Sequence, residues 1–114
     1  MNESKKTVLL LSSEGCGVAN TNLGFEILAT LLEALYKRED RPAAIICWNE
    51  AARLLAEGSP LLARFKNLED KGINILAGKL CVEDLELNGK IAVGKVATMG
   101  EILDLMLHNE VISL

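Results

Sequence analysis

The stretch "ILAGKLCVED" at 75–84 places a cysteine where an apolar run gives way to polar and acidic residues. The chemistry that Cys81 offers is nucleophilic sulfur transfer or exchange. A free thiol has a pKa of about 8.5, so it needs a neighbouring cation or oriented N–H groups to hold the reactive thiolate at neutral pH. Lys79 stands two positions before it, and "VEDLEL" after it reads as the opening of a helix whose first N–H groups, at 82–84, face the sulfur. Glu83 and Asp84 act in the opposite sense. The plainer alternative is a half-buried packing cysteine, because Cys is among the most buried residue types.

Other candidates carry less. Cys16 in "EGCGVAN" lies between Gly15 and Gly17, which permit tight turns and leave N–H groups free for an anion or a second sulfur. The spacing matches neither a Walker loop nor a dinucleotide fingerprint, so a strand-to-helix turn is the simpler reading. Cys47 in "AIICW" reads as core packing. Asn49 follows a strand and could bond a ligand, but an asparagine before "EAARLL" is more simply a helix N-cap. His108 falls near the end of the last helix, where an imidazolium suits the dipole, and it is not expected to act as a general base. Three cysteines at wide spacing with one histidine suggest neither a disulfide framework nor a zinc site, and no metal or cofactor is expected.

These residues must be positioned by one small domain. The chain has 114 residues, 50% of them hydrophobic, 25% charged and four aromatic, which describes an aliphatic core. A net charge of −4, from 12 basic and 16 acidic residues, gives no footprint for a phosphate backbone or an anionic membrane. Apolar runs such as "VLLL" at 8–11 are far too short to cross a bilayer, and "MNESKK" has no signal-peptide character. A cytoplasmic, reducing location is therefore expected, with no nucleic acid and no membrane as partner.

Strand-like and helix-like segments alternate. "KTVLLLSS" at 6–13, with no polar alternation, reads as a strand covered on both faces, and "PAAIICW" at 42–48, "INILA" at 73–77, "KIAVGKV" at 90–96 and the terminal "EVISL" read as further strands. A helix capped by Thr21 or Asn22 follows the first. Short helices are expected over 49–58, closed by Gly58, and after Ser59–Pro60 to Gly72; others are expected around 80–87 and over 98–109. The alternation implies a three-layer α/β/α fold on a mainly parallel five-stranded sheet, with strand order left open. Ligands of such sheets bind beyond the carboxyl ends of the strands, where connections diverge. That nominates the loops 12–21, Asn49 and its neighbours, 78–84 and 97–99.

The runs "VLLLSSEGCG", "LGFEIL", "IICWNEAARLL", "LEDKGINILAGKLCVEDLEL", "IAVGKVATMGEIL" and "NEVISL" resemble the DsrE-like domain of YedF-type, sulfurtransferase-like proteins. The resemblance runs from about Lys6 to Leu114, so 1–5 is expected to be a polar tail and 6–114 one DsrE-like domain. It implies homo-oligomers and a loop cysteine that carries sulfur as a persulfide, here Cys81. The Cys-Gly-Thr-Cys pattern of YedF-type proteins reads "GKLC" here, with Gly78 at the first cysteine position, so no disulfide can close within this loop. The usual TusA-like companion domain is not in this sequence, and a separate donor or acceptor protein is expected. The leading expectation is a sulfur relay on Cys81, a sulfurtransferase or carrier, supported by Lys79. The alternative is a non-catalytic oligomeric or small-ligand binding module, and a nucleotide-binding reading lacks a phosphate motif.

Overall fold

The computed structural model describes residues 6–17 and 20–114. The expected tail at 1–5, together with Val18 and Ala19 of the first nominated loop, lies outside the described residues. In chain order the elements are β1 (Thr7–Leu11), α1 (Thr21–Lys37), β2 (Ala44–Cys47), a 3₁₀ helix (Asn49–Leu55), α2 (Leu62–Asp70), β3 (Asn74–Gly78), α3 (Lys79–Asp84), β4 (Lys95–Ala97), α4 (Met99–His108) and β5 (Glu110–Ser113). The strands form one sheet in the order β4-β3-β2-β1-β5, and every pairing is parallel. The α/β class and the five-stranded parallel sheet expected from the sequence are what the chain adopts.

Side-chain alternation splits the sheet between two cores. Leu9, Leu11, Ile45, Cys47, Ile75 and Ala77 pack with Leu28 and Leu32 of α1, Phe65 and Leu68 of α2, and Val82 of α3. Val8, Leu10, Ala44, Ile46 and Leu76 face the other way, against Ile102, Leu105 and Met106 of α4. Runs such as "VLLL" lack polar alternation because both faces of their strands are covered. The helical segments from α1 to α3 thus share one face, and α4 covers the other.

Several local expectations change. Asn20 caps α1: its side-chain oxygen accepts the Leu23 N–H at 2.9 Å, which leaves Thr21 and Asn22 inside the helix. The segment 49–55 winds as a 3₁₀ helix and stops at Ala56, two residues before Gly58. The helix expected from Pro60 begins at Leu62, and Ser59 accepts the Leu61 N–H at 3.2 Å. Gly72, at φ +96, lets the chain leave α2. The fourth strand is short: Gly94 at φ +78 breaks the extended run, and Ile91 instead makes an antiparallel bridge with Ala56. Thr98 and Glu101 close a capping box that starts α4 directly after β4.

Candidate functional site

The register of β2 against β3 builds the site. Cys47 and Ala77 are paired, so Trp48 leaves β2 beside Gly78, the last residue of β3 and still paired with Ala97 of β4, at the carboxyl edge of the sheet. Trp48 stays tied to β1 through its N–H, which donates to the Leu11 carbonyl at 3.1 Å. Asn49 then turns sharply with φ +53, a left-handed conformation that asparagine tolerates better than most side chains. Its backbone N–H donates to Cys81 Sγ at 3.0 Å. On the neighbouring strand α3 begins at once, with Gly78 as N-cap and Cys81 as its third residue.

Cys81 is half-buried and borders a cleft of about 570 Å³ at this edge. Trp48, Leu80, Leu85 and Met99 make its apolar walls. Ser12, Asn49, Glu50 and Asp84 add the polar groups. Its size and mixture suit a small ligand or an inserted side chain. A side chain at position 78 would begin 3.4 Å from Cys81 Sγ and 3.4 Å from Trp48 Cβ. Gly78 has φ −66, so its backbone does not require glycine.

Of the residues singled out in the sequence, Cys81, Asn49 and Gly78 come together and Lys79 and Cys16 do not line the cleft. The sequence points the N–H groups of 82–84 at the sulfur, but Cys81 already sits within the helix; the donor that reaches Sγ comes from β2 through Asn49. Asn49 likewise does not cap the following helix with its side chain, and Trp48 occupies the cap position. Lys79 is exposed on the outside of α3. The Cys16 loop is shaped by close packing on α1: a Cβ at Gly15 would fall 2.8 Å from the Gly24 backbone, and one at Gly24 would fall 2.5 Å from the Cys16 carbonyl. Burial raises the Cys16 thiol above its ordinary value. Cys47 is fully buried in the core and desolvation pushes its thiol far up. His108 Nδ1 lies 2.7 Å from the Asp104 carbonyl on its own helix. Among the described residues no three His, Cys, Asp or Glu side chains are grouped to hold a metal ion.

Trp48, Leu80 and Met99 carry no chemical signal of their own in the sequence. Each nevertheless belongs to, or adjoins, a nominated carboxyl-end loop, so the topological rule finds the place and misses the side chains. No helix among the described residues is long and apolar enough to cross a membrane.

Neither a family model nor a curated protein sequence matches the chain. Solved structures do match over nearly its whole length. A conserved protein of unknown function, BT1422 from Bacteroides thetaiotaomicron, is 21% identical with a TM-score of 0.69, covering 96% of this chain and 95% of its own. The ychN protein from E. coli is 12% identical with a TM-score of 0.71, covering 97% and 100%. A protein of unknown function, MTH1491 from Methanobacterium thermoautotrophicum, is 10% identical with a TM-score of 0.72, again covering 97% and 100%. These likenesses establish a shared fold.

Proposed function

We propose that this chain is a DsrE-like sulfur-relay protein that carries sulfane sulfur as a persulfide on Cys81 between partner proteins. The observation that carries the reading is the Asn49 N–H donated to Cys81 Sγ at 3.0 Å, on the wall of an open cleft. The bond fixes the sulfur at the lip of the cleft, where a partner's sulfur can reach it, and access of this kind is what exchange requires. The Cys81 thiolate attacks the outer sulfur of a donor persulfide; the donor S–S bond breaks, a new bond forms to Sγ, and the donor leaves as its thiolate. A second exchange, with an acceptor thiolate attacking the sulfur on Cys81, passes it on. No net oxidation occurs in either step. Gly78 leaves no resolving thiol within the loop, so the sulfur must go to another molecule.

The sequence resemblance to DsrE-like domains, with a fold shared with ychN over nearly the whole chain, supports this reading. The accompanying homo-oligomer is supported by α4, whose Leu103 and Leu107 stay exposed one helical turn apart, away from the cleft lining. A reducing compartment such as the cytoplasm would keep Cys81 available. A second reading, a small-ligand binding module without chemistry, draws on the apolar walls of the same cleft. Intact-mass spectrometry after incubation with a sulfane-sulfur donor separates the two. The relay predicts a gain of one sulfur atom in the native protein and none at that site in Cys81→Ser; equal gain in both, or none in either, refutes it.

A further inference from the structure

The cleft has a charge as well as a shape. Its walls carry two charged side chains among the described residues, Glu50 and Asp84, and both are acids. Arg53 pairs with Glu50 at 2.9 Å and offsets part of its charge, so Asp84, which joins no ion pair among the described residues, is the main source of negative charge on the walls; Lys79 does not line the cleft. A sulfur donor entering between Trp48 and Met99 therefore meets an apolar surface bordered by carboxylates. An anionic donor such as thiosulfate, or a persulfide flanked by acids, is repelled on approach, whereas flanking ammonium or guanidinium groups are drawn in.

We infer that the cleft selects a peptide segment of a partner protein whose persulfide cysteine is flanked by an apolar residue and by lysine or arginine, and that it discriminates against anionic sulfur donors. This inference rests on the relay reading for its chemistry and on Glu50, Asp84 and the apolar walls for its selectivity. The apolar neighbour packs on Trp48, Leu80 and Met99, while the basic groups stay at the solvated rim near Asp84. The transfer has the same balance as above: the peptide persulfide loses its outer sulfur to Cys81 and departs as a thiolate. The acceptor, which uses the same cleft, is selected by the same charges.

The test compares two synthetic peptides with a central cysteine persulfide and the same apolar neighbour, one flanked by lysines and one by glutamates, with thiosulfate as a third donor. Initial loading of the full chain, followed by intact mass, should be about tenfold faster with the lysine peptide at low salt and should fall to about two- to threefold at roughly 0.5 M salt. In Asp84→Asn, and more fully in Glu50→Gln/Asp84→Asn, the ratio should approach unity. Binding is read separately with peptides carrying serine in place of the cysteine, through the fluorescence of Trp48, the one tryptophan of the chain. Equal loading and equal binding of the two peptides overturn the charge selection, as does faster loading from thiosulfate. If no donor loads Cys81, the relay reading fails and the Trp48 titration still decides the selectivity.

Discussion

Replacing Gly78 by cysteine tests the geometry of the site most directly. A Cβ at position 78 would stand 3.4 Å from Cys81 Sγ, and Gly78 has an ordinary φ of −66, so the new side chain enters without backbone strain. In a disulfide, a Cβ lies about 3 Å from the partner sulfur, given an S–S bond near 2.05 Å. A movement of about 0.4 Å by the Cys81 side chain closes that gap, well within a rotamer adjustment. Gly78→Cys should therefore oxidise, joining the introduced thiol to Cys81 by a disulfide at the start of α3. Such a short loop restricts the unfolded chain by about 2 kcal/mol on the entropic account, so urea unfolding of the oxidised variant should need more denaturant than that of the reduced one. The native chain has three free cysteines, Cys16, Cys47 and Cys81. After denaturation and alkylation the oxidised variant should show two alkylated thiols and the reduced variant four, by mass. Persulfide loading should vanish on oxidation and return on reduction. Four alkylatable thiols after mild oxidation would refute the placement of Cys81 beside Gly78.

Two predictions concern the fold that holds the site. Gly94→Ala and Gly58→Ala impose the same left-handed strain, at φ +78 and φ +89, but a Cβ at Gly94 falls 2.5 Å from the Ile75 carbonyl whereas nothing lies within 4 Å of one at Gly58. Urea denaturation should show a loss of about 1 kcal/mol for Gly58→Ala and about 3 kcal/mol or more for Gly94→Ala, and equal losses would contradict the packing of Gly94 on β3. The second follows from Cys47, whose ordinary thiol value of 9.0 is pushed far up by burial. Above that pH the unfolded chain releases a proton that the folded chain keeps, so stability present below pH 9 is lost as pH rises. Relative to Cys47→Ala, the native protein should lose about 1.4 kcal/mol between roughly pH 8 and pH 10; parallel profiles for the two proteins would argue against a sealed thiol. Cys16, raised by burial too, adds in the same direction in both proteins.

How much of this was legible in the sequence depends on whether a feature is local. The aliphatic runs that became β1, β2 and β3 were legible because strands covered on both faces have no polar alternation to confuse the pattern. The carboxyl-end loops were legible because alternation of strands and helices forces a parallel sheet. Asn49 shows what was not. Its side chain reads as a cap, yet its contribution at the site is a main-chain N–H, and that N–H meets Cys81 only because β2 and β3 are neighbours in register. Lys79 shows the converse: two positions from Cys81 in sequence, it falls outside the cleft because residues two apart on a helix do not share a face. The short β4 was hidden in "KIAVGKV", where Ile91, Val93 and Val96 read as strand but the left-handed turn at Gly94 divides the run.

The strand order explains why a cleft opens beside Cys81, whereas the hollow of about 470 Å³ at the loop before α1 is lined by Gly15, Gly17 and Phe25 and not by Cys16 itself. Between β1 and β4 the chain steps steadily across the sheet, and each connection from α1 to α3 packs on the same face. After β4 it must return past β3, β2 and β1 to place β5 on the far side, and α4 makes that return on the opposite face. β3 and β4 are therefore neighbours whose outgoing helices part to opposite faces, which leaves a crevice beyond their carboxyl ends. α3 brings Leu80 and Cys81 to one lip, and the start of α4 brings Met99 to the other. β1 and β2, by contrast, send their connections to the same face, and there Gly15 and Gly24 let the loop close tightly onto α1. A reactive thiol at Cys16 would have to work against that packing, whereas Cys81, equally half-buried, borders the cleft that the divergence of two helices opens, and the β2 turn supplies its hydrogen-bond donor.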